Sequence, residues 1–199
     1  MKQFVVGLTG PIGAGKSSVC ALLKAMGLHC IDADFVSRQV AMPGSACLKE
    51  LVDAFGAGIL ENGALNRKKL AAIAFSSESD QRRLGQITHP YITMEIVRQV
   101  EALPESTIVV IEATLLFGSP LEPICNMTVA VIADDTVRLE RILQRDHADI
   151  ASARARMRAQ PSCEEYRRLA QFIIVNNGDQ EQLQRQTSKL YQRLKEACE

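Results

Sequence analysis

A three-layer α/β fold around a five-stranded parallel sheet is predicted by three features of the 199-residue chain. Short, wholly apolar runs recur along it, helical stretches lie between them, and a glycine-rich turn joins the first run to the first helix. The first run is Phe4 to Leu8; the helical stretch Ser17 to Met26 follows the glycines and is closed by Gly27. Leu28 to Ile31 is the second run and ends at Asp32-Ala33-Asp34. Thr107 to Ile111 and Met127 to Ile132 are β-branched runs, and Phe172 to Val175 is the last, broken by Asn176-Asn177-Gly178. Runs apolar at every position suit parallel strands covered by helices on both faces. Residues from about 35 to 104 contain no good strand: Leu70, Ile73, Ala74, Leu84 and Ile87 fall at helical intervals, with a stop near His89-Pro90. Residues from about 146 to 170 are arginine-rich and weakly apolar. One domain is expected, with a core of 1–34, 105–145 and 171–199, a helical insertion over about 35–104 and a helical lid over about 146–170.

Composition narrows the classes. Basic and acidic residues balance at 23 each, which supports neither a general nucleic-acid binder nor an acidic-membrane binder. The six cysteines (20, 30, 47, 125, 163 and 198) form no C-x-x-C pair and no zinc-like spacing. Cys20 and Cys30 lie in apolar runs and read as small buried hydrophobes. No apolar stretch approaches the roughly 20 residues that span a bilayer. Met1 to Gly7 runs straight into the first strand, which leaves no room for a signal peptide. A reduced, soluble, cytoplasmic protein is expected, without nucleic-acid or membrane partners, as a monomer or weak homo-oligomer.

The segment Gly10-Pro11-Ile12-Gly13-Ala14-Gly15-Lys16-Ser17 satisfies G-x-x-x-x-G-K-[ST]. Glycines let successive N–H groups curl inward around an anion, and the following helix adds its positive end. Its position between a predicted strand and helix gives the P-loop nucleoside triphosphate hydrolase-like arrangement. Gly13, Ala14, Gly15, Lys16, Ser17 and Ser18 are the candidate residues for ATP, with Lys16 on the β- and γ-phosphates and the Ser17 hydroxyl on Mg2+. Ligands of such sheets gather beyond the carboxyl ends of the strands, where Asp32 and Asp34 lie. A carboxylate there can take the proton of an attacking hydroxyl, but either aspartate can equally cap a helix starting at Phe35. The loop does not by itself separate kinases from hydrolases. Asn176-Asn177-Gly178-Asp179 lacks the lysine of a guanine-reading N-K-x-D segment, and Glu112 ends the third strand where a magnesium-binding acid can stand. Arg141, Arg145, Arg154, Arg156 and Arg158 cluster where small kinases carry a lid that closes over phosphates.

With these residues assembled, the chain resembles the dephospho-coenzyme A kinases along nearly its whole length. Gly7 to Ser17 is similar to the family's GLTGGIGSGKS, with proline and alanine at two places. Ile31-Asp32-Ala33-Asp34, then Arg38-Gln39-Val40 and Pro43-Gly44, resembles IDAD…ARxV…PG. Phe55-Gly56 and Gly63-Ala64-Leu65-Asn66-Arg67 with Leu70 resemble FG…G-x-LDR-x-x-L, asparagine replacing aspartate. His89-Pro90-Tyr91-Ile92, Leu115-Leu116-Phe117 and Gln144-Arg145-Asp146 match HPxI, LLF and QRD. The resemblance implies transfer of the ATP γ-phosphate to the ribose 3′-hydroxyl of dephospho-coenzyme A, with Mg2+. It implies Asp34 as the catalytic base, Asp32 supporting or capping, and Lys16 and Arg145 as transition-state cations. It also implies that the helical insertion holds the acceptor's pantetheine arm, with Thr9, His89 and Leu115 on the acceptor side; for His89 a buried structural role before a proline turn stays open. Departures fall at Thr114 and Gly118 in the PLLFE segment, at Gln171 and Val175 in ADFVIDNSG, and at Tyr166 where a lid lysine is usual. They bear on acceptor contacts and lid closure and leave Lys16, Ser17, Asp34 and Arg145 untouched.

Overall fold

The computed structural model describes residues 3–147 and 149–198, and the described chain divides into two compact units. The larger comprises the described residues of 1–32 and 103–199; the smaller is Ala33–Ala102.

The larger unit begins with β1 (Phe4–Thr9), α1 (Lys16–Ala25) and β2 (His29–Asp32). The smaller contributes α2 (Ala33–Gln39), α3 (Ala46–Phe55), β3 (Leu60–Glu61), β4 (Ala64–Leu65), α4 (Arg67–Ala74) and α5 (Glu78–Glu101). The larger resumes with β5 (Ile108–Glu112), β6 (Met127–Ile132), α6 (Asp135–Asp146), α7 (Ile150–Arg158), α8 (Cys163–Leu169), β7 (Phe172–Val175) and α9 (Gln180–Cys198). Its five strands are parallel in the order β2-β5-β1-β6-β7, so the expected sheet is present. On one face Val6, Leu8, Val110, Val129, Val131 and Ile174 bury against Val19 and Leu23 of α1 and Leu183, Leu190 and Leu194 of α9. On the other, Ala130 and Ile132 bury with Tyr166 of α8. Residues alternate between faces, and both faces are covered, which is why the strands read as unbroken apolar runs. Cys20 joins the first cluster and Cys30 is half-buried beside it; all six thiols are free. Cys30 donates to the Cys20 carbonyl at 3.6 Å. A hydrogen bond with Cys30, followed by burial, pushes the Cys20 thiol far up, while the same bond lowers Cys30.

The smaller unit has its own core of Cys47, Leu51, Ile59, Leu70 and Ala74, with Leu84, Ile87 and Tyr91 against it. Its helices are started by local caps: Ser45 accepts from Leu48 N–H, Asn66 from Lys69 N–H and Ser77 from Asp80 N–H. Asn66 therefore caps α4 as the family's aspartate can, since the two side chains serve equally at that position. Two expectations fail here. The stretch does contain strands, a short hairpin whose turn places Asn62 and Gly63 at φ 51° and 77°. An Asn-Gly pair is the dipeptide that such a turn selects. The helix also does not stop at His89-Pro90: α5 runs unbroken through Pro90 for 24 residues. Proline inside a helix loses one hydrogen bond and costs about 3 kcal/mol or more. Ile96 and Val100 are buried on α5, and full burial of such side chains contributes about 1.5–3 kcal/mol each. Tertiary burial thus outweighs the local break. No helix among the described residues is long and apolar enough to cross a membrane.

Candidate active site

The phosphate loop leaves β1 at the carboxyl edge of the sheet. Gly10, Gly13 and Gly15 hold φ of 143°, 79° and 97°, values that an L side chain rarely adopts. A Cβ on Gly10 would strike the Val131 carbonyl, and one on Gly13 would lie 2.7 Å from the Arg138 carbonyl. Positive-φ glycines flanking Ala14 give the curled backbone that concentrates N–H groups on an anion. Gly15 is also the N-cap of α1, which begins at Lys16. The dipole of that helix therefore points into the loop. Lys16 Nζ donates to the Gly10 carbonyl at 2.8 Å, which folds the ammonium back across the loop. Ser17 and Ser18 are exposed at the helix start.

The neighbouring strand ends bring acids to the same edge. Asp32 and Glu112 are register partners of β2 and β5, and Leu8 is the partner of Glu112 on β1. The Ser17 hydroxyl donates to Glu112 Oε1 at 3.2 Å. Two hard oxygen ligands side by side are what a magnesium ion takes, so the donor set fits that ion. Asp34 does not cap a helix beginning at Phe35. Helix α2 begins two residues earlier, and Asp34 stands exposed in its first turn, within the smaller unit. In the same unit Arg67 donates to the Ser37 carbonyl at 3.0 Å. Desolvation lowers the Arg67 pKa, with the Arg38 charge adding to the fall and Cys47 and Asp34 opposing it.

The arginines expected in a lid separate into two sets. Arg145 lies in the last turn of α6 and pairs with Asp146 through Nε on Oδ1 and Nη2 on Oδ2 at 2.6 and 3.0 Å; Arg156 of α7 shares Oδ2 at 2.6 Å. These bonds raise Arg145 and hold the Asp146 carboxyl far below its ordinary range. Arg141 instead faces the rear of the loop, 3.4 Å from the Gly13 carbonyl and 3.5 Å from that of Ala14. Buried Asn176 donates to the Ala14 carbonyl at 2.8 Å and accepts from Arg141 at 3.4 Å. Arg138, which the sequence reading did not single out, is buried and donates to the Ile12 carbonyl at 2.9 Å. Its signal was its position four residues before Ile142, on the inward stripe of α6.

The acceptor-side residues fare differently. Leu115 is 66% exposed just past β5. Thr9 is fully buried and its hydroxyl donates to the Thr114 carbonyl at 3.2 Å, so it supports that turn and offers no surface to a ligand. His89 is exposed in mid-helix, neither buried nor before a turn. Three of the departures have structural explanations. Tyr166 is buried, donates to the same Thr114 carbonyl at 3.2 Å and lies 6.1 Å from the Phe117 ring. Gln171 accepts from Thr128 N–H at 2.8 Å and so ties the start of β7 to β6. Gly118 takes φ 73° and donates to Glu122 at 2.7 Å in a tight turn.

A family model described as dephospho-CoA kinase matches residues 4–182. The dephospho-CoA kinase of Geobacillus kaustophilus is 39% identical over 184 residues, covering 91% of this chain and 92% of its own. Among solved structures, TT1252 of Thermus thermophilus superposes with a TM-score of 0.86 at 29% identity, over 98% of this chain and 99% of that one. A dephospho-CoA kinase from Campylobacter jejuni gives a TM-score of 0.72 at 25% identity, over 98% of both chains. Phosphate loop, parallel sheet and sequence all agree: the chain belongs to the dephospho-CoA kinase family.

Proposed function

We propose that this chain transfers the γ-phosphoryl group of ATP to the ribose 3′-hydroxyl of dephospho-coenzyme A, giving coenzyme A and ADP, the last step of coenzyme A biosynthesis. The observation that carries the reading is the loop from Gly10 to Ser17, glycine-built and facing the Glu112 strand end, in a chain of this family. Residues Gly13 to Ser18 hold the triphosphate. Lys16 and Arg145 neutralise charge that spreads over the transferring oxygens. Asp34 accepts the proton as the 3′-oxygen attacks phosphorus and ADP leaves. Ser17 and Glu112 would hold Mg2+, which when bound screens the negative charge of the phosphates. The unit Ala33–Ala102 receives the acceptor, with His89 on its exposed surface, and exposed Leu115 offers apolar contact to the pantetheine arm. Helices α7 and α8 act as the lid, with Arg156 released from Asp146 as it closes. Six free thiols favour a reducing, cytoplasmic setting, and the enzyme acts as a monomer or weak homo-oligomer.

A coupled ADP-release assay over a panel of alcohol acceptors tests the assignment. Dephospho-coenzyme A should stimulate turnover well above nucleoside monophosphates and other small alcohols. Equal stimulation by the whole panel would overturn it.

A further inference from the structure

The backbone of Ile12 is gripped at both its N–H and its carbonyl by side chains from distant parts of the larger unit. Its N–H donates to Gln160 Oε1 at 2.7 Å, and its carbonyl accepts from Arg138 Nε at 2.9 Å. Gln160 stands just beyond the end of α7, where its own N–H bonds to the Met157 carbonyl at 3.3 Å. Arg138 also reaches Cys163 Sγ at 3.7 Å, the first residue of α8. Both grips therefore join the phosphate loop to the short connection between α7 and α8.

The electrostatics point the same way. The Arg138 side chain is 4% exposed, whereas that of its carboxylate partner Asp135 is 80% exposed. A buried cation paired with a solvated, screened anion leaves a net positive field beneath the loop. Arg138 Nη2 is buried without a partner among the described residues, so the guanidinium is not held by ideal pairing with its neighbours. Burial of an arginine at such a place is costly and stability alone is a poor reason for it.

We propose that Gln160 and Arg138 are positioning residues for the nucleotide: through Ile12 they couple the seating of the α7–α8 segment to the shape of the phosphate loop. This rests on the reading that the loop binds ATP. Neither residue touches the reacting atoms. Coupling of this kind is reciprocal, so nucleotide must also steady the segment.

The test uses Gln160→Met, which keeps the side-chain length and removes the acceptor oxygen. Gln160 is half-buried, so the variant should fold; Arg138→Lys is the companion at the buried position. Magnesium-ADP affinity is measured by calorimetry, with KM for ATP and for the acceptor from steady-state rates. Loss of one hydrogen bond of ordinary strength should weaken ADP binding and raise KM for ATP about threefold to tenfold. KM for the acceptor should hold, and the melting temperature should fall by no more than about 4 °C, since the bond is already made without nucleotide. Amide exchange across 149–169 should slow when ADP is added to the wild-type chain, and Gln160→Met should lose that response. Unchanged ADP affinity in the variant overturns the proposal, as does a parallel rise in both KM values with a melting temperature lowered beyond that, the mark of a merely structural role. If the wild-type chain itself fails to bind ADP, the kinase reading falls and this proposal falls with it.

Discussion

The phosphate loop and the surroundings of Asp34 are built by opposite means. The loop's rear is fixed by side chains 126 to 162 residues away in sequence: Arg138 on Ile12, Gln160 on Ile12, and Asn176 on Ala14. Its glycines are pressed against other parts of the chain, so Gly13 has no room for a methyl group. The smaller unit relies on local caps, and its Gly44, Gly56, Gly58 and Gly63 have nothing within 4 Å of an added Cβ. Asp34, Phe35, Met42 and His89 all stand at its exposed surface. One region is preorganised for a ligand of fixed shape, the polyphosphate. The other is an open surface of single exposed side chains, and those can change without disturbing a backbone. Preorganised donors owe their catalytic value to that prior fixing.

The largest expected effect breaks the chemistry and leaves the scaffold alone. Asp34→Asn should lower turnover by about 10²- to 10⁴-fold, as removal of a general base does, with ATP affinity nearly intact in a binding titration. An unchanged rate would reduce Asp34 to a first-turn helix residue. Lys16→Ala comes next, at about 10²- to 10³-fold in single-turnover rate, the usual loss for one charge-stabilising donor; normal kinetics would remove Lys16 from the site. A pair of glycine variants then sharpens the contrast itself. Gly13→Ala should destabilise by roughly 3 kcal/mol or more by calorimetry, because strain at positive φ adds to a backbone clash. Gly63→Ala should lose only about 1–2 kcal/mol, the left-handed strain alone. Equal losses would mean that the loop is no more constrained than the hairpin. The smallest effect is pH-dependent. Hydrogen bonds from Arg98, then Gln99, lower the Glu95 carboxyl from 4.5 to about 2. Because the folded value is depressed, the stabilisation is present above the ordinary carboxylate pKa and fades as pH falls toward about 2. Arg98→Ala should reduce the melting temperature by less than about 2 °C at neutral pH, and this difference should vanish in strong acid. A difference that persisted there would point to packing and not to charge.

The inner strands β1, β5 and β6 were legible because each lies between two apolar layers, and that burial writes itself as an unbroken run in the sequence. The loop was legible for a related reason: only glycine tolerates those φ values, and Lys16-Ser17 follows at a fixed spacing. What escaped was whatever depends on partners far along the chain. Pro90 signals a stop, and nothing local reveals that Ile96 and Val100 will bury deeply enough to override it. Arg138 looked like one more charge on an amphipathic helix, since its target, the Ile12 carbonyl, is contributed by another part of the chain. Tyr166 sits where the family usually has a lysine, but its burial beside Phe117 is decided by packing with Ala130 and Ile132 on one face of the sheet. The Asn62-Gly63 turn is a different case: the dipeptide itself signals a hairpin, within a stretch whose apolar spacing is otherwise helical.

The bond from Asn176 to Ala14 spans 162 residues, and it has a consequence for how the protein comes into being. Synthesis proceeds from the N-terminus, so the phosphate loop emerges well before Asn176, which directly follows β7. Until β7 has added to the edge of β6, neither the Ala14 carbonyl nor the Arg141 guanidinium has that amide to hold it. Contacts of such separation form late, because the loop they close must be ordered first. The nascent chain therefore carries its phosphate loop through the synthesis of 162 further residues before it acquires the means to keep that loop in place. A firm hold on the back of the phosphate loop thus waits for Asn176, which makes nucleotide binding a reporter that β7 has docked.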